Sequence, residues 1–267
     1  MSVWIGTSGY AYAHWRGVFY PEALPSRHWL AHYAAAFAAV ELNVTFYRLP
    51  RASAFEAWRR GTPAEFRFAV KGSRFITHLK RLGDAGEALA TFFERARRLG
   101  PKLAAVLWQL PPRFRADPDR LDRFLTQAAR AARRIRRAGP VRHALEFRDR
   151  SWFNEAVYEV LRRHDAALVL ADAPFEVVTA PLRAPPGGRL DAVRVPMVSS
   201  WMYLRRHGPR GDGRLSYTEA ELRRDAAAIA AWARRGDVFV FFNNDYAGHA
   251  VRNAATLQRL VGALMAG

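Results

Sequence analysis

The sequence contains no cysteine among its 267 residues. This excludes disulfide bonds and zinc sites built on thiolates, and a secretory route gains no support. Met1 to Trp4 lead directly into the first apolar run, which leaves no room for a signal peptide, and no apolar run approaches the roughly 18 residues that a membrane span needs. We therefore expect a cytoplasmic protein without a membrane partner.

Two features of multidomain and dinucleotide-binding proteins are also missing. No Ser/Gly-rich linker interrupts the chain, so we predict one domain over residues 1–267, a length that α/β barrels use as one domain. No glycine-rich dinucleotide fingerprint follows the first apolar run, because Gly6-Thr7-Ser8-Gly9 is only superficially similar to one.

Lysine is scarce, although the chain is strongly basic. Lys71, Lys80 and Lys102 are the only lysines, while the 42 basic residues exceed the 24 acidic ones and give a net charge of +18. Such a field favours nucleic acid, or phosphorylated and acidic small molecules, as partners. The alternative is a solvated basic coat, which an amphipathic helix would carry on its outer face through Arg123, Arg130, Arg134 and Arg137.

Eight short apolar runs are present, and each ends in polar residues. The runs are Val3–Ile5, Ala39–Val40, Phe66–Val70, Leu103–Leu107, Ala144–Leu145, Leu168–Leu170, Trp201–Leu204 and Val238–Phe242. Runs of this kind are typical of buried parallel strands, and helix-period segments lie between them. The sequence therefore predicts a (β/α)8 TIM barrel, with a doubly wound open sheet as the competing α/β fold.

Helix signals support this alternation. Helical segments are expected near 27–37, 51–60, 86–99, 151–163 and 249–265, with further starts at Asp117-Pro118 and at a capping box from Thr218 to Glu221. Prolines and glycines interrupt the stretch from Phe175 to Ser200, so we predict a long connection there between strands six and seven, with room for a short hairpin.

A candidate site follows from the barrel, since the C-terminal ends of its strands converge on one mouth. The residues expected there as substrate-binding groups are Tyr10, Trp15, Glu41, Asn43, His78, Gln109, Arg148, Arg205, His207, Asn243, Asn244 and Asp245. The expected catalytic residues are Lys71, Glu146 and Asp172. Lys71 offers a compact charge or an adjustable amine in a chain that otherwise uses arginine. Glu146 and Asp172 would form an acid/base pair, unless Glu146 is simply paired with Arg148 or Arg205.

Two further site interpretations are open. The glycine- and arginine-bearing loop at 207–214 and the helix start near Gly248, with His249 beside it, would suit a phosphate, or could be tight turns. Carboxylates and histidines could hold a divalent cation, but no local metal motif is present and nearby cations already supply positive charge. We therefore predict no cofactor and no metal, with a divalent metal as the alternative.

The motifs, taken together, resemble one family. They are Gly6 to Tyr10 with Trp15 and Phe19 to Pro21, Val40 to Asn43 with Thr45 to Tyr47, Val70-Lys71, Ile76 to His78, Gln109 to Pro112, Glu146 to Arg148 with Ser151-Trp152, Tyr203 with Arg205, His207 and Gly208, and Phe242 to Asp245 with Gly248. This pattern is similar to the YecE-like, or DUF72, family over nearly the whole chain. The resemblance implies a TIM barrel and brings no settled activity, and no family pattern aligns with 175–200.

Two functions remain open from the sequence. The first is an enzyme that acts by hydrolysis or an acid/base step on a phosphate-bearing or acidic substrate in the mouth. The second is a nucleic-acid-binding barrel with little or no catalysis, which would stack bases on exposed aromatics such as Tyr10, Tyr12 and Trp15. A basic excess concentrated at the mouth would favour the first, and a stripe across one face would favour the second.

Overall fold

The chain folds into a closed barrel of eight parallel strands. The computed structural model describes residues 1–133, 141–172 and 196–266. The strands are β1 (Val3–Ser8), β2 (Ala39–Leu42), β3 (Arg67–Lys71), β4 (Leu103–Gln109), β5 (Arg142–Glu146), β6 (Ala167–Ala171), β7 (Met202–Arg206) and β8 (Val238–Phe242). Each strand pairs with the next one along the chain, and β8 closes the barrel onto β1. The predicted barrel is confirmed, and the open sheet is excluded.

Helices cover the barrel as predicted. They are α1 (Trp29–Ala36), α2 (Val44–Tyr47), α3 (Ala52–Arg60), α4 (Gly86–Ala96), α5 (Pro118–Ala132), α6 (Glu155–Arg163), α7 (Glu219–Ala233) and α8 (His249–Ala266). The predicted capping box is present, since the Thr218 side chain accepts the backbone N–H of Glu221. Helix α6 begins later than the predicted 151, because Asn154 is its N-cap and accepts the backbone N–H of Val157 at 3.1 Å.

The outer face of α5 carries arginine as expected, since Arg123 and Arg130 are exposed there. The other two arginines of that prediction, Arg134 and Arg137, lie outside the described residues. So does most of the predicted connection between strands six and seven, which is described only from 196 onward. None of the helices in the described ranges is long and apolar enough to cross a membrane.

The interior of the barrel is divided between small and large side chains. Alanines project inward from β2 to β6, whereas aromatic rings from β1, β7 and β8 fill the space that they leave. Trp4 stacks on Phe239 with ring centroids 4.6 Å apart, and Tyr203 lies 5.3 Å from Phe241. The interior is therefore a packed core rather than a pore, and the polar residues that follow the strands lie at its C-terminal end.

Candidate active site in the barrel mouth

The floor of the mouth is formed by Arg205, which bridges two carboxylates across the barrel. It extends from β7, is 1% exposed, and donates to Glu41 of β2 through Nη2 at 2.8 Å. Its Nη1 atom donates to Glu146 of β5 at 2.7 Å. Because both ends of the guanidinium contact carboxylates, Arg205 fixes the relative positions of three strands, and the two carboxylates hold its pKa above the usual range.

Glu41 is fully occupied by protein donors. Ser8 donates its hydroxyl to Glu41 at 2.7 Å, and the Tyr203 hydroxyl donates to the other carboxylate oxygen at 2.6 Å. Ser8 and Glu41 are register partners on β1 and β2, so the pairing of the strands itself brings them together. The side chain is completely buried. Glu41 therefore anchors the floor, and a substrate does not reach its carboxylate without displacing one of these hydrogen bonds.

Glu146 lies nearer the mouth and is held as a carboxylate. The Gln109 amide donates to it at 2.8 Å from the register partner on β4, and Arg148 forms an ion pair with the same oxygen. Burial alone would raise the pKa of Glu146, but the Arg148 and Arg205 guanidinium groups outweigh it and hold the pKa well below the usual range. Glu146 therefore stays ionised at neutral pH and orients two arginines.

Lys71 reaches the same mouth from the end of β3. It is 8% exposed, and its amine lies 4.3 Å from the centroid of the Phe46 ring. Within the described ranges no hydrogen bond or ion pair to the Lys71 amine is found. Burial, reinforced by Arg205, lowers the pKa of Lys71 to about 8 against the pull of Glu146. Both the charged and the neutral form of the amine are therefore populated near pH 8.

Two histidines near these cations are neutral. Burial and the neighbouring Lys71 lower the pKa of His78 to about 4. Burial and Arg205 lower the pKa of His207 to about 3, and its ring contacts Arg205 at 3.3 Å and the Asn243 amide at 3.0 Å. Neutral imidazoles add hydrogen-bonding groups to the mouth without adding charge.

Asp172 is not part of this network, although it follows β6. Ala171 belongs to the barrel interior, so the next residue turns to the other side of the strand. Its carboxylate accepts the backbone N–H of His207 at 2.7 Å and the Tyr217 hydroxyl, and lies 3.6 Å from Arg206. Burial raises the pKa of Asp172 to about 6. Glu146 and Asp172 therefore contact different residues, and their action as an acid/base pair stays a prediction.

The polar residues after β2 and β8 have different surroundings. Asn43 continues the inward alternation of β2, and its buried Oδ1 atom lacks a hydrogen-bonding partner in the described part of the chain. Asn244 is fully buried and donates to the Leu215 carbonyl at 3.0 Å and to Asn253 at 2.9 Å, so its donor side is used by the protein. Asp245 lies at the surface, where its backbone carbonyl contacts the His14 ring at 2.9 Å.

The aromatic residues after β1 do not form the expected stacking surface. Trp15 is 0% exposed and donates its indole N–H to the Asp245 carbonyl at 3.1 Å, so the expectation of an exposed ring is wrong. Tyr10 and Tyr12 are half-buried. The Tyr10 hydroxyl accepts the Trp58 indole N–H at 3.0 Å, and the Tyr12 hydroxyl donates to the Ser8 carbonyl at 2.6 Å. These rings pack the first loop against the barrel.

The loops after β7 and β8 form a separate surface pocket of about 640 Å³, lined by His14, Gly213, Arg214, Asp245, Tyr246 and Ala247. Arg214 is already bidentate to Asp212, at 3.0 and 2.9 Å. His249 contacts Arg252 at 3.0 Å. The phosphate interpretation of these loops therefore stays a prediction. Across the described ranges, no group of three His, Asp or Glu side chains is placed to hold a metal ion.

The rim of the mouth is basic. Basic residues outnumber acidic ones in each of the first five loops that follow a strand, at 9–28, 43–51, 72–85, 110–117 and 147–154. The basic members are Arg16, Arg27, Arg48, Arg51, Arg74, Lys80, Arg81, Arg113, Arg115, Arg148 and Arg150. The acidic members are Glu22, Asp84, Asp117 and Asp149. The loops on the mouth side are therefore basic, as are the helix-to-strand connections at the opposite end of the barrel, such as 97–102 and 234–237.

Sequence reasoning missed the partners that hold the site together. Ser8 and Tyr203 complete the hydrogen bonding of Glu41, and Phe46 supplies the ring beneath the Lys71 amine. The alternation of β7 could have identified Tyr203, since it lies two residues before Arg205 and shares its face. Phe46 follows β2 on the short helix α2, and its only sequence signal was its place in the motif from Thr45 to Tyr47.

Comparison with known proteins gives a consistent result. The family model described as "Protein of unknown function DUF72" matches residues 4–266. A DUF72 family protein of Thermotoga maritima is 29% identical in its crystal structure, with a TM-score of 0.77 over 98% of this chain and 100% of that one. UPF0759 protein YunF of Bacillus subtilis is 32% identical over 146 residues, which are 52% of this chain and 49% of that protein. The chain thus matches about half the length of that curated relative.

A structure with lower similarity is that of an enzyme named for its reaction. The D-psicose 3-epimerase of Clostridium cellulolyticum, solved with D-tagatose, is 11% identical and has a TM-score of 0.55 over 99% of both chains. At this identity the likeness concerns the fold alone.

Proposed function

We propose an activity from the geometry of the barrel mouth, since the chain belongs to the DUF72 family and that family is described as one of unknown function. The protein is an enzyme that binds a small phosphate-bearing or acidic molecule in the mouth and acts on it by hydrolytic or acid/base chemistry. The observation that carries this proposal is the Lys71 amine, a cation site inside the mouth that forms no direct ion pair with any of the described residues.

The charge balance supports an anionic substrate. Arg205 is matched by Glu41 and Glu146, and Arg148 contacts Glu146 as well. When Lys71 is protonated, the mouth therefore carries an uncompensated positive charge in a desolvated place, where a phosphate or carboxylate would be strongly attracted. The basic rim extends the same field to the entrance of the site.

Lys71 and the hydrogen-bonded network of Arg205, Glu146 and Arg148 have different roles in the proposed chemistry. A group with a pKa of about 8 both accepts and returns a proton near neutral pH, so Lys71 is the proton-transfer residue. Glu146 is too weak a base for that role, because two arginines stabilise its charged form. It orients Arg148 toward the negative charge that develops on the substrate.

The test is the stabilisation of the protein by inorganic phosphate and by small phosphate esters. A ligand that binds only the folded state at 100 times its Kd stabilises it by about 2.7 kcal/mol, which a thermal melt detects. We expect stabilisation in the wild type and in Lys80→Met, which removes the lysine of the loop that follows β3, but not in Lys71→Met. Equal stabilisation of both variants would place the anion outside the mouth and contradict the proposal.

A further inference from the structure

We propose that the Lys71 amine is a nucleophile that forms an imine with an aldehyde or ketone group of the substrate. This inference rests on the proposed site in the mouth and narrows its substrates to anions that also carry a carbonyl group. It does not require that Lys71 be the group that binds the anion, because the basic rim remains for that purpose.

The three lysines of the chain differ in what their amines contact. The Lys102 amine is buried but saturated, since it donates to the Arg59 carbonyl at 2.6 Å and to the Thr62 carbonyl and hydroxyl at 2.7 and 3.0 Å. The Lys80 amine is partly exposed and lies 3.4 Å from the Asp84 carboxylate. The Lys71 amine contacts the face of an aromatic ring instead. A lone pair that is free to attack a carbonyl carbon is therefore available at Lys71.

The surroundings of Lys71 favour the neutral amine that such an attack requires. Desolvation and a neighbouring cation are the two conditions that activate a lysine as a nucleophile, and Lys71 has both, because it is 8% exposed and close enough to Arg205 for their charges to repel. Its pKa of about 8 agrees with this geometry. At pH 7 about a tenth of the amine is then unprotonated, whereas an ordinary lysine with a pKa of about 10.4 has almost none.

The backbone that carries Lys71 is held firmly in place. Its carbonyl accepts the Thr45 hydroxyl at 2.6 Å, and the next residue, Gly72, donates its N–H to Leu107 at 2.8 Å. A Cβ atom on Gly72 would lie 2.2 Å from the Trp108 ring, so only glycine allows this close packing. The amine is therefore presented from a fixed position, as a nucleophile needs to be.

The reaction balances without a cofactor. The nitrogen lone pair forms a bond to the carbonyl carbon while the C=O π bond breaks, and one amine proton moves to the oxygen to give a carbinolamine. The C–O bond then breaks as the C=N bond forms, and the second amine proton leaves with the oxygen as water. Protonation of the imine gives a cation beside the Glu146 carboxylate, which stabilises it electrostatically.

The test is reductive trapping with pyruvate and sodium cyanoborohydride, followed by mass spectrometry of the lysine peptides. We expect Lys71 to be alkylated at least about tenfold faster than Lys80, with a rate that rises as the pH passes through about 8. Lys102 is the matched control for burial, because its pKa is also lowered by desolvation while its amine is saturated by hydrogen bonds. It should stay unmodified, and the α-amino group serves as an internal reference.

One variant and the trapping experiment separate this inference from the proposed function. Lys71→Arg keeps the positive charge but cannot form an imine, so it should retain stabilisation by phosphate and lose the fast trapping. Trapping of Lys71 no faster than that of Lys80 would overturn the imine, and would leave the proposed function standing if phosphate still stabilises the protein. Fast trapping at Lys71 in a protein that no phosphate or carboxylate stabilises would instead overturn the anionic substrate.

Discussion

At the scale of single residues, Lys71 bears a charge in a place where the folded state disfavours it. The unfolded chain has an ordinary lysine pKa of 10.5, and the folded chain a pKa of about 8. Between these two pH values the unfolded state binds more protons, so the free energy of unfolding rises with pH across the window. Below pH 8 the full cost of the buried charge is present.

We therefore expect Lys71→Met to be more stable than the wild type. Each unit of pKa shift corresponds to about 1.36 kcal/mol, and a gain of about 1–3 kcal/mol in the free energy of unfolding at pH 7 is expected. Urea denaturation at pH 7 and pH 10 measures it, with the gain shrinking at the higher pH. Lys80→Met, at a more exposed lysine, should change stability by less than about 0.5 kcal/mol. Destabilisation by Lys71→Met would show that the charge is compensated in the folded state.

Asp172 gives a pH dependence of the opposite sign. Burial raises its pKa from 3.8 to about 6, so the folded state holds a proton that the unfolded state has lost in this window. Stability should therefore fall as the pH rises from about 4 to 6, and Asp172→Asn should remove a fall of roughly 1–3 kcal/mol. Urea denaturation at several pH values checks this. An unchanged slope in the variant would assign the titration to another buried group, with Asp225 as the neighbour to test.

The comparison of Asp172 with Glu146 shows which structural features the sequence could predict and which it could not. Apolar runs that end in polar residues were enough to predict all eight strands. They were not enough to decide which polar residue faces inward, because the side-chain alternation of a strand fixes the face only once its register is known. Glu146 lies in phase with the interior, and Asp172 is one residue out of phase.

At the scale of elements, the two halves of the barrel interior depend on one another. Alanines on β2 to β6 leave space that aromatic rings from β1, β7 and β8 fill. Sequence patterns alone could not reveal this division, since it depends on which strands lie opposite one another in the closed barrel. A ring deleted from the aromatic half leaves a cavity that the alanines opposite are too short to fill.

Phe239→Ala should accordingly destabilise the protein by about 3–5 kcal/mol, the usual cost of truncating a buried phenylalanine. Phe239 is 1% exposed and stacks on Trp4. The matched control is Phe75→Ala, because Phe75 is 47% exposed and its loss should cost less than about 1 kcal/mol. Denaturant unfolding compares the two variants. Similar costs would mean that the barrel interior relaxes around the lost ring.

At the scale of the whole molecule, the net charge of +18 has two interpretations that the fold makes separable. If a nucleic acid lies across the mouth, the arginines on the rim contact phosphates. If the charge is a solvated coat that also attracts small anions to the mouth, arginines on the rim and elsewhere on the surface contribute equally to DNA binding. Stacking on Trp15 is no longer part of the first interpretation, because that ring is buried.

Two double charge reversals distinguish these interpretations with the same change in net charge. Arg113→Glu with Arg115→Glu alters exposed rim residues after β4, and Arg123→Glu with Arg130→Glu alters the outer face of α5. With a small anion as the natural ligand, we expect both double variants to lose affinity for DNA equally. Wild-type binding should stay in the non-specific Kd range of about 0.1 mM to 1 μM, and the logarithm of the affinity should fall linearly with the logarithm of the salt concentration.

The measurement is a salt titration on duplex and single-stranded DNA. A loss confined to the rim variant, with a salt slope reduced by about 0.9 per phosphate contact removed on duplex DNA, would establish a nucleic-acid surface at the mouth and reject the small-anion interpretation.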